Sequence, residues 1–321
     1  MSRFKIVVTD DRYGNYDVEK AVLGAINADI IVANSETPEE VLNVCRDADG
    51  VMVNLAPMPA QVIRGLEKCR VIARYGVGYD NVDIKACTQK GIYATNVTDY
   101  CAEEVSDQAL ALLLGCIRKI ARRDAQVRQG LWNVGKADPV YRIAGKTIAF
   151  LGYGLIARCL HRKIKGLNLG RVLVCDQFLD AEFVKSQGAE QVDLETALKE
   201  ADYISIHMPL NDDTRGIINE KAFEMMKPTS IIINTSRGPV IDEAALIKAL
   251  STGRINSAGL DVHNKEPLDR NNPLMKLENC ILTDHMGWYS EDSMAELKRK
   301  VAENVRDVLS GKEPKYPVNK L

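Results

Sequence analysis

The chain has 321 residues, of which 46% are hydrophobic and 27% charged, and its formal net charge is −2. That is the composition of a soluble globular protein long enough for two domains, and its Lys and Arg residues are spread evenly, which excludes the basic footprint of a nucleic-acid binder or a polybasic membrane patch. The longest apolar stretch, from Ala109 to Ile117, is too short to cross a bilayer, and the opening MSRFKIVVTD runs into a strand pattern with no charged-then-apolar signal segment, so a cytoplasmic location is expected.

Strand-like β-branched runs occur at 5–10, 29–34, 50–54, 70–75 and 93–97, with helical patterns between them. This alternation predicts parallel βαβ units. Residues 100–129 read as one long helix, apolar in its first half and basic in its second. After Pro139 a second alternating series begins, with strands expected at 147–151, 171–176, 203–208, 230–236, 257–262 and 280–285. The chain closes on an amphipathic helix near 291–309 and a Pro-containing tail. Two α/β domains with parallel sheets are the simplest architecture. The eight cysteines, at 45, 69, 87, 101, 116, 159, 175 and 280, form no CxxC pair. They read as buried thiols, and neither a metal site nor a disulfide framework is expected.

The strand at 147–151 is followed by Gly152-Tyr153-Gly154-Leu155-Ile156-Ala157 and then a helix. Gly152 permits the tight turn, Gly154 lets a pyrophosphate approach the backbone, and the small Ala157 permits close helix–strand packing. The helix N-terminus offers free N–H groups to an anion. Asp176, at the end of the next strand and 24 positions after Gly152, can accept from ribose hydroxyls and repels a 2′-phosphate. No cation follows it, so NAD is favoured over NADP. The later strands end on His207, Arg237, Asp261 and His285, which gathers polar side chains along one sheet edge, where open parallel sheets bind their ligands.

Reducing a 2-keto acid requires a hydride donor, a proton donor for the developing alkoxide, a cation for the substrate's oxygens and a group that tunes the proton donor. Histidine suits proton transfer near neutral pH, a carboxylate beside it stabilises the imidazolium, and arginine matches a carboxylate with a planar fork. Arg237, Glu266 and His285 fit these roles by residue type.

The strings INTSRGPVIDEAAL, AGLDVHNKEPL and ILTDHMGWYS resemble successive signatures of the D-isomer-specific 2-hydroxyacid dehydrogenase family. The resemblance covers nearly the whole chain. It implies catalytic roles for Arg237, Glu266 and His285. ARYGVGYDNVD resembles the family's substrate loop, which implies that Gly76, Val77 and Gly78 hold the substrate carboxylate with Arg74 beside them. NVTDYCAEEVSDQALALLL, LGYGLIA and ISIHMPLNDDTRGIIN also fit in order and spacing. The resemblance implies that Gly152, Tyr153, Gly154, Leu155, Ile156, Asp176, His207, Met208, Pro209, Thr235, Ser236, Arg237, Asp261 and His285 line the cofactor. It further implies a flavodoxin-like substrate domain of residues 1–98 and 291–321, a Rossmann-type NAD domain of residues 99–290 with the site in the cleft, and a homodimer built through the long helix. HMGWYSED is most similar to the C-terminal binding protein and phosphoglycerate dehydrogenase-like branch, in which Trp288 would enter the substrate pocket. An indole there favours aliphatic or thioether substrate side chains over a phosphate. Val77 stands where the C-terminal binding proteins carry serine, and Ala157 replaces the last glycine of the turn. The expected activity is NAD-dependent interconversion of a small 2-keto acid and its 2-hydroxy acid. The alternative is an NAD-sensing corepressor or scaffold of the C-terminal binding protein kind. Formate oxidation is disfavoured, because it needs no acid–base partner for a carbonyl.

Overall fold

The computed structural model describes residues 3–132 and 138–321. The chain divides into two units, one made of Met1–Cys101 with Ser290–Leu321 and the other of Ala102–Tyr289.

The first unit holds β1 (Phe4–Val8), α1 (Asp17–Leu23), β2 (Ala28–Val32), α2 (Pro38–Cys45), β3 (Gly50–Val53), α3 (Ala60–Gly65), β4 (Val71–Arg74), α4 (Ile84–Lys90) and β5 (Tyr93–Thr95). Its strands pair in parallel in the order β2-β1-β3-β4-β5. That is the flavodoxin-like order. β3 and the first three residues of β4 read as unbroken apolar runs because both sheet faces are covered. On one face Val7, Val51, Val53 and Ile72 pack with Val41, Cys45, Val62 and Ile63 of α2 and α3. On the other, Val305 of the final helix reaches Ile6 and Val71 at the site of Gly50. That helix lies in the sequence last, at Glu291–Leu309, yet belongs to this unit. Periodicity predicts its extent but not the sheet it covers.

The second unit holds α5 (Ala102–Arg118), α6 (Ile120–Arg128), β6 (Thr147–Leu151), α7 (Leu155–Ile164), β7 (Arg171–Cys175), α8 (Ala181–Ser186), β8 (Glu190–Gln191), α9 (Leu194–Glu200), β9 (Tyr203–Ile206), α10 (Glu220–Met225), β10 (Ile231–Asn234), α11 (Glu243–Ser251), β11 (Ser257–Leu260) and β12 (Cys280–Leu282), with α12 (Glu291–Leu309) following in the first unit. The sheet order is β12-β11-β10-β9-β6-β7-β8, all parallel. This is the doubly wound order of dinucleotide-binding folds, and the chain direction across the sheet reverses between β6 and β9.

Two features differ from the sequence reading. The two-residue β8 was too short to leave a pattern. The helix expected over 100–129 is two helices, broken at Lys119, which adopts the left-handed conformation with φ of 56°. A non-glycine residue there costs on the order of 1–2 kcal/mol. Lys119, Arg122 and Arg123 all form ion pairs with the buried carboxylate of Asp138, and this local cluster turns a stretch of good helix formers.

Candidate active site

Four consecutive helices of the second unit begin with a side-chain cap: Asp180 on α8, Asp193 on α9, Asn219 on α10 and Asp242 on α11 each accept from a first-turn amide. α7 does not. Its N-cap is Gly154, and no side chain caps it. The first amides of a ten-residue helix therefore face outward with the positive end of the helix dipole behind them. Gly152 has φ of +83°, and a Cβ there would lie 2.8 Å from the Met208 amide nitrogen. The turn after β6 thus sits directly against the loop after β9, at the point where strand order reverses. Asp176 stands at the end of β7. Its Oδ2 accepts from the Tyr153 amide at 2.8 Å and its Oδ1 from the Phe178 amide at 3.0 Å. Each oxygen keeps a lone pair for a further donor. Thr235, just past β10, has a buried hydroxyl with no hydrogen-bond partner among the described residues. An uncapped helix start, a side-chain-free turn, an acid at the second strand and an orphaned hydroxyl fit a bound dinucleotide.

The Tyr153 side chain points into the protein, where its hydroxyl meets His161 Nδ1 at 2.5 Å. Only its backbone is available to a ligand in the turn. His207 packs against Phe150 with ring centroids 5.9 Å apart, and its Nε2 lies 2.8 Å from Ser205 Oγ. Burial pushes its imidazole down to about 4, which removes it from proton transfer near neutral pH.

Three neighbouring strands supply the expected catalytic groups. Arg237 follows β10, Glu266 lies in the loop after β11, and His285 follows β12. His285 Nδ1 is 2.7 Å from Glu266 Oε2. The other carboxylate oxygen accepts from the His263 amide at 2.9 Å. Burial works against ionisation of Glu266. The His285 ring, by hydrogen bond and charge, and the His263 amide outweigh it, and the carboxyl is held below the ordinary glutamate value. Because an ionised carboxylate only accepts, Nδ1 carries the proton of that bond and Nε2 is the nitrogen left to act. The backbone at Gly238 packs against the His263 carbonyl with no room for a Cβ, which holds the Arg237 loop against the loop that carries Glu266. Arg237 also donates to the Ser236 carbonyl at 2.9 Å.

Asp261 is the expected cofactor contact whose surroundings say most. It is 2% exposed, and its carboxylate accepts from Thr283 Oγ1 at 2.6 Å, Gln108 Nε2 at 3.3 Å, and the Met286 and Gly287 amides at 3.1 and 2.8 Å. Three of these donors fall on Oδ1 and only the Gly287 amide on Oδ2, which keeps an acceptor site open. Trp288 is partly buried, edge-on to Tyr289 with centroids 5.6 Å apart.

In the first unit, the loop after β4 carries Arg74, Gly76, Val77 and Gly78. The Gly76 carbonyl accepts from the Val97 amide at 3.0 Å and the Val77 carbonyl from Asn96 Nδ2 at 2.7 Å. Among the described residues, no acceptor lies against the amides of Val77 and Gly78. Arg74 folds its guanidinium back onto the loop, donating to the Tyr75 carbonyl at 2.6 Å.

The NAD-binding domain profile of the D-isomer specific 2-hydroxyacid dehydrogenases matches residues 110–287. The chain is 38% identical over 283 residues to a glyoxylate reductase of Korarchaeum cryptofilum, covering 87% of this chain and 85% of that one. The chain belongs to the D-isomer-specific 2-hydroxyacid dehydrogenase family. It is also 34% identical over 317 residues to a D-3-phosphoglycerate dehydrogenase of Methanocaldococcus jannaschii, covering 98% of this chain and 59% of that one. D-mandelate dehydrogenase of Rhodotorula graminis superposes with a TM-score of 0.86 at 30% identity, covering 100% of this chain and 99% of that one. This 2-hydroxyacid dehydrogenase is an NAD-dependent enzyme that transfers hydride between the dinucleotide and C2 of a 2-hydroxy or 2-keto acid.

Residue-type reasoning missed three members of the dehydrogenase's candidate site. The His263 contribution is a backbone amide, which no side-chain pattern announces. Gln108 lies 153 positions from Asp261, on a helix whose periodicity speaks only of packing. Thr283 reads as an ordinary strand residue.

Proposed function

We propose that His285 protonates the substrate carbonyl oxygen during reduction and removes the hydroxyl proton during oxidation. The observation that carries this is the 2.7 Å contact between His285 Nδ1 and Glu266 Oε2, which leaves Nε2 to exchange the proton. Glu266 stabilises the imidazolium formed when His285 acts as base and fixes its ring. Arg237 binds the substrate's carboxylate and carbonyl oxygens. The Val77 and Gly78 amides, with Gly76 giving the turn and Arg74 beside it, hold the carboxylate. Bound NAD(H) supplies or accepts the hydride. Gly152, Tyr153, Gly154, Leu155 and Ile156 hold its pyrophosphate through the turn and the α7 N-terminus, and His207, Met208, Pro209, Thr235 and Ser236 line it further along. The substrate is a small 2-keto acid with an apolar or absent side chain, supported by the bulk of Trp288 and by the relatives named glyoxylate reductase. The test is NADH absorbance across glyoxylate, hydroxypyruvate, aliphatic and thioether 2-keto acids and phosphohydroxypyruvate. Turnover of none of them by a folded, NADH-binding protein overturns the reading.

NAD is preferred over NADP because Asp176 accepts from ribose hydroxyls and repels a 2′-phosphate, and Gln177 and Phe178 offer no cation. Asp176→Ser with Gln177→Arg is expected to raise the ratio of NADPH to NADH use at least ~10-fold, about 1.4 kcal/mol. Equal use of both coenzymes by the unmodified protein removes the assignment. A homodimer in the cytoplasm completes the reading. Ile120 and Val127 of α6, with Leu131, Trp132, Val140 and Tyr141 beyond it, expose apolar surface of the kind that partners cover, Trp132 to 82%. Light scattering of Trp132→Glu against the unmodified chain tests that surface.

A further inference from the structure

His285 has φ of 60°, a left-handed conformation that a non-glycine residue adopts only when its surroundings hold it there. The holding contacts converge on one residue. The His285 amide donates to the Asp261 carbonyl at 2.8 Å, and the next two amides, Met286 and Gly287, donate to the Asp261 carboxylate. The loop that carries the proton-transferring histidine is therefore wrapped around Asp261, front and back. What fixes the Asp261 carboxylate comes from elsewhere. Gln108, in the second turn of α5, donates through Nε2 to Thr283 Oγ1 at 2.9 Å and to Asp261 Oδ1 at 3.3 Å. Thr283 in turn donates its hydroxyl hydrogen bond to Asp261 Oδ1 at 2.6 Å. The chain of donors has a single direction, amide to hydroxyl to carboxylate, and the methylenes of Gln108 pack beside Gly287.

We propose that Gln108 and Thr283 are positioning residues for the dehydrogenase reaction: they lock the Asp261 carboxylate, and through it the backbone around His285, so that Nε2 is aimed at the reacting oxygen. Protein donors hold Oδ1 three times over and leave Oδ2 one acceptor site beyond the Gly287 amide, so the carboxylate can pin the histidine loop and still meet a ligand. The inference rests on the proposed role of His285.

Small displacements of a proton-transferring group cost rate, on a scale of up to ~10²-fold for 1 Å. Gln108→Ala is expected to lower kcat ~10-fold, leave the NADH dissociation constant within about two-fold, and increase the solvent deuterium isotope effect on kcat, because proton transfer from a misaimed imidazole becomes slower relative to the other steps. Thr283→Ser, which keeps the hydroxyl, restores most of the rate that Thr283→Val loses, and this pair stands in if Gln108→Ala does not fold. The deciding measurement is a double-mutant cycle with His285→Ala. If Gln108 acts through His285, its substitution has no further effect on the residual rate of the His285→Ala enzyme. An undiminished ~10-fold loss in that background overturns the inference while leaving His285 catalytic. Weakened NADH binding with kcat unchanged also overturns it, by assigning the network to the cofactor. Full activity of His285→Ala overturns the proposed function, and this inference with it.

Discussion

The two units use the same architecture for different chemistry. Each is a parallel sheet whose functional loops leave the carboxyl ends of the strands. In the first unit the loop after β4 offers backbone: amides at Val77 and Gly78, with one arginine folded beside them. In the second unit the loops after β10, β11 and β12 offer side chains, with a carboxylate and an imidazole in direct contact. All four histidines of the chain, at 161, 207, 263 and 285, lie in the second unit. On the proposed reading, the backbone amides hold a fixed charge of the substrate without titrating, whereas the His285 imidazole moves a proton. Binding of the carboxylate is thus expected to be insensitive to pH near neutrality, while the chemical step follows His285 and the buried His207 of the same unit adds an acid-sensitive contribution to stability.

The strongest way to break this division is His285→Ala. Loss of the acid–base group is expected to reduce kcat by ~10²–10⁴-fold with NADH binding nearly intact. Stopped-flow single turnovers with fluorescence titration of NADH measure both. An equal loss of cofactor affinity places His285 in the binding machinery instead. The next largest effect concerns His207, whose imidazole burial pushes down to about 4 from the ordinary 6.5. Between those values the unfolded chain binds a proton that the folded chain refuses. Stability from this residue is therefore fully present above pH 6.5 and is lost as pH falls toward about 4. The loss is on the order of 2–3 kcal/mol. His207→Gln removes the slope: a plot of unfolding free energy against pH, taken by urea titration, should be flatter for the variant across that window. Parallel curves for the two proteins show that other groups govern the acid limb.

The first unit is tested at Gly76. Its φ is +134°, and a Cβ there would lie 1.7 Å from Arg74 Nη1. Gly76→Ala must move both the loop backbone and the arginine. KM is expected to rise ~10–30-fold, about 1.4–2 kcal/mol, for every 2-keto acid alike, since all share the carboxylate. The NADH dissociation constant is expected to stay put. A rise confined to some substrates assigns the loop to side-chain recognition.

The outcome shows which physical signals a sequence carries. Strand β6, the glycine turn and the acid after β7 were legible because each is local: a β-branched run, a turn that only glycine tolerates, and a fixed spacing to the next strand. The C-terminal helix was legible in extent, since Leu297, Val301, Val305 and Val308 keep one apolar face, but periodicity is silent on which sheet that face covers. The break at Lys119 was not legible, because its cause is Asp138, which gathers three cations after the chain has left the helix. The Glu266–His285 pair was legible by residue type and by likeness to a family, while its geometry is a fact of folding. The lock around it was invisible for the same reason as the break. Gln108, Asp261 and Thr283 meet across three elements, and each taken alone has an ordinary packing role.

The smallest effect is expected at Trp288, and it sharpens the contrast by asking whether the second unit recognises a side chain as well as moving a proton. Trp288 follows His285 by three residues, on the loop that Asp261 pins, and is partly buried against Tyr289. An indole there gives a large apolar surface with one N–H donor. It rewards a substrate side chain by contact and desolvation, on a scale of roughly 1–3 kcal/mol for a well-packed apolar group. Because Trp288 is not fully enclosed in this unit, the low end of that range applies. Glyoxylate has no side chain to meet the ring, and a phosphate gains nothing from it. Trp288→Ala is therefore expected to raise KM several-fold for aliphatic and thioether 2-keto acids, with glyoxylate little changed and phosphohydroxypyruvate poor in both proteins. A steady-state panel on the two enzymes reads this directly. If glyoxylate suffers as much as the larger acids, the indole is framework for the histidine loop, and side-chain selection belongs to the first unit together with the carboxylate.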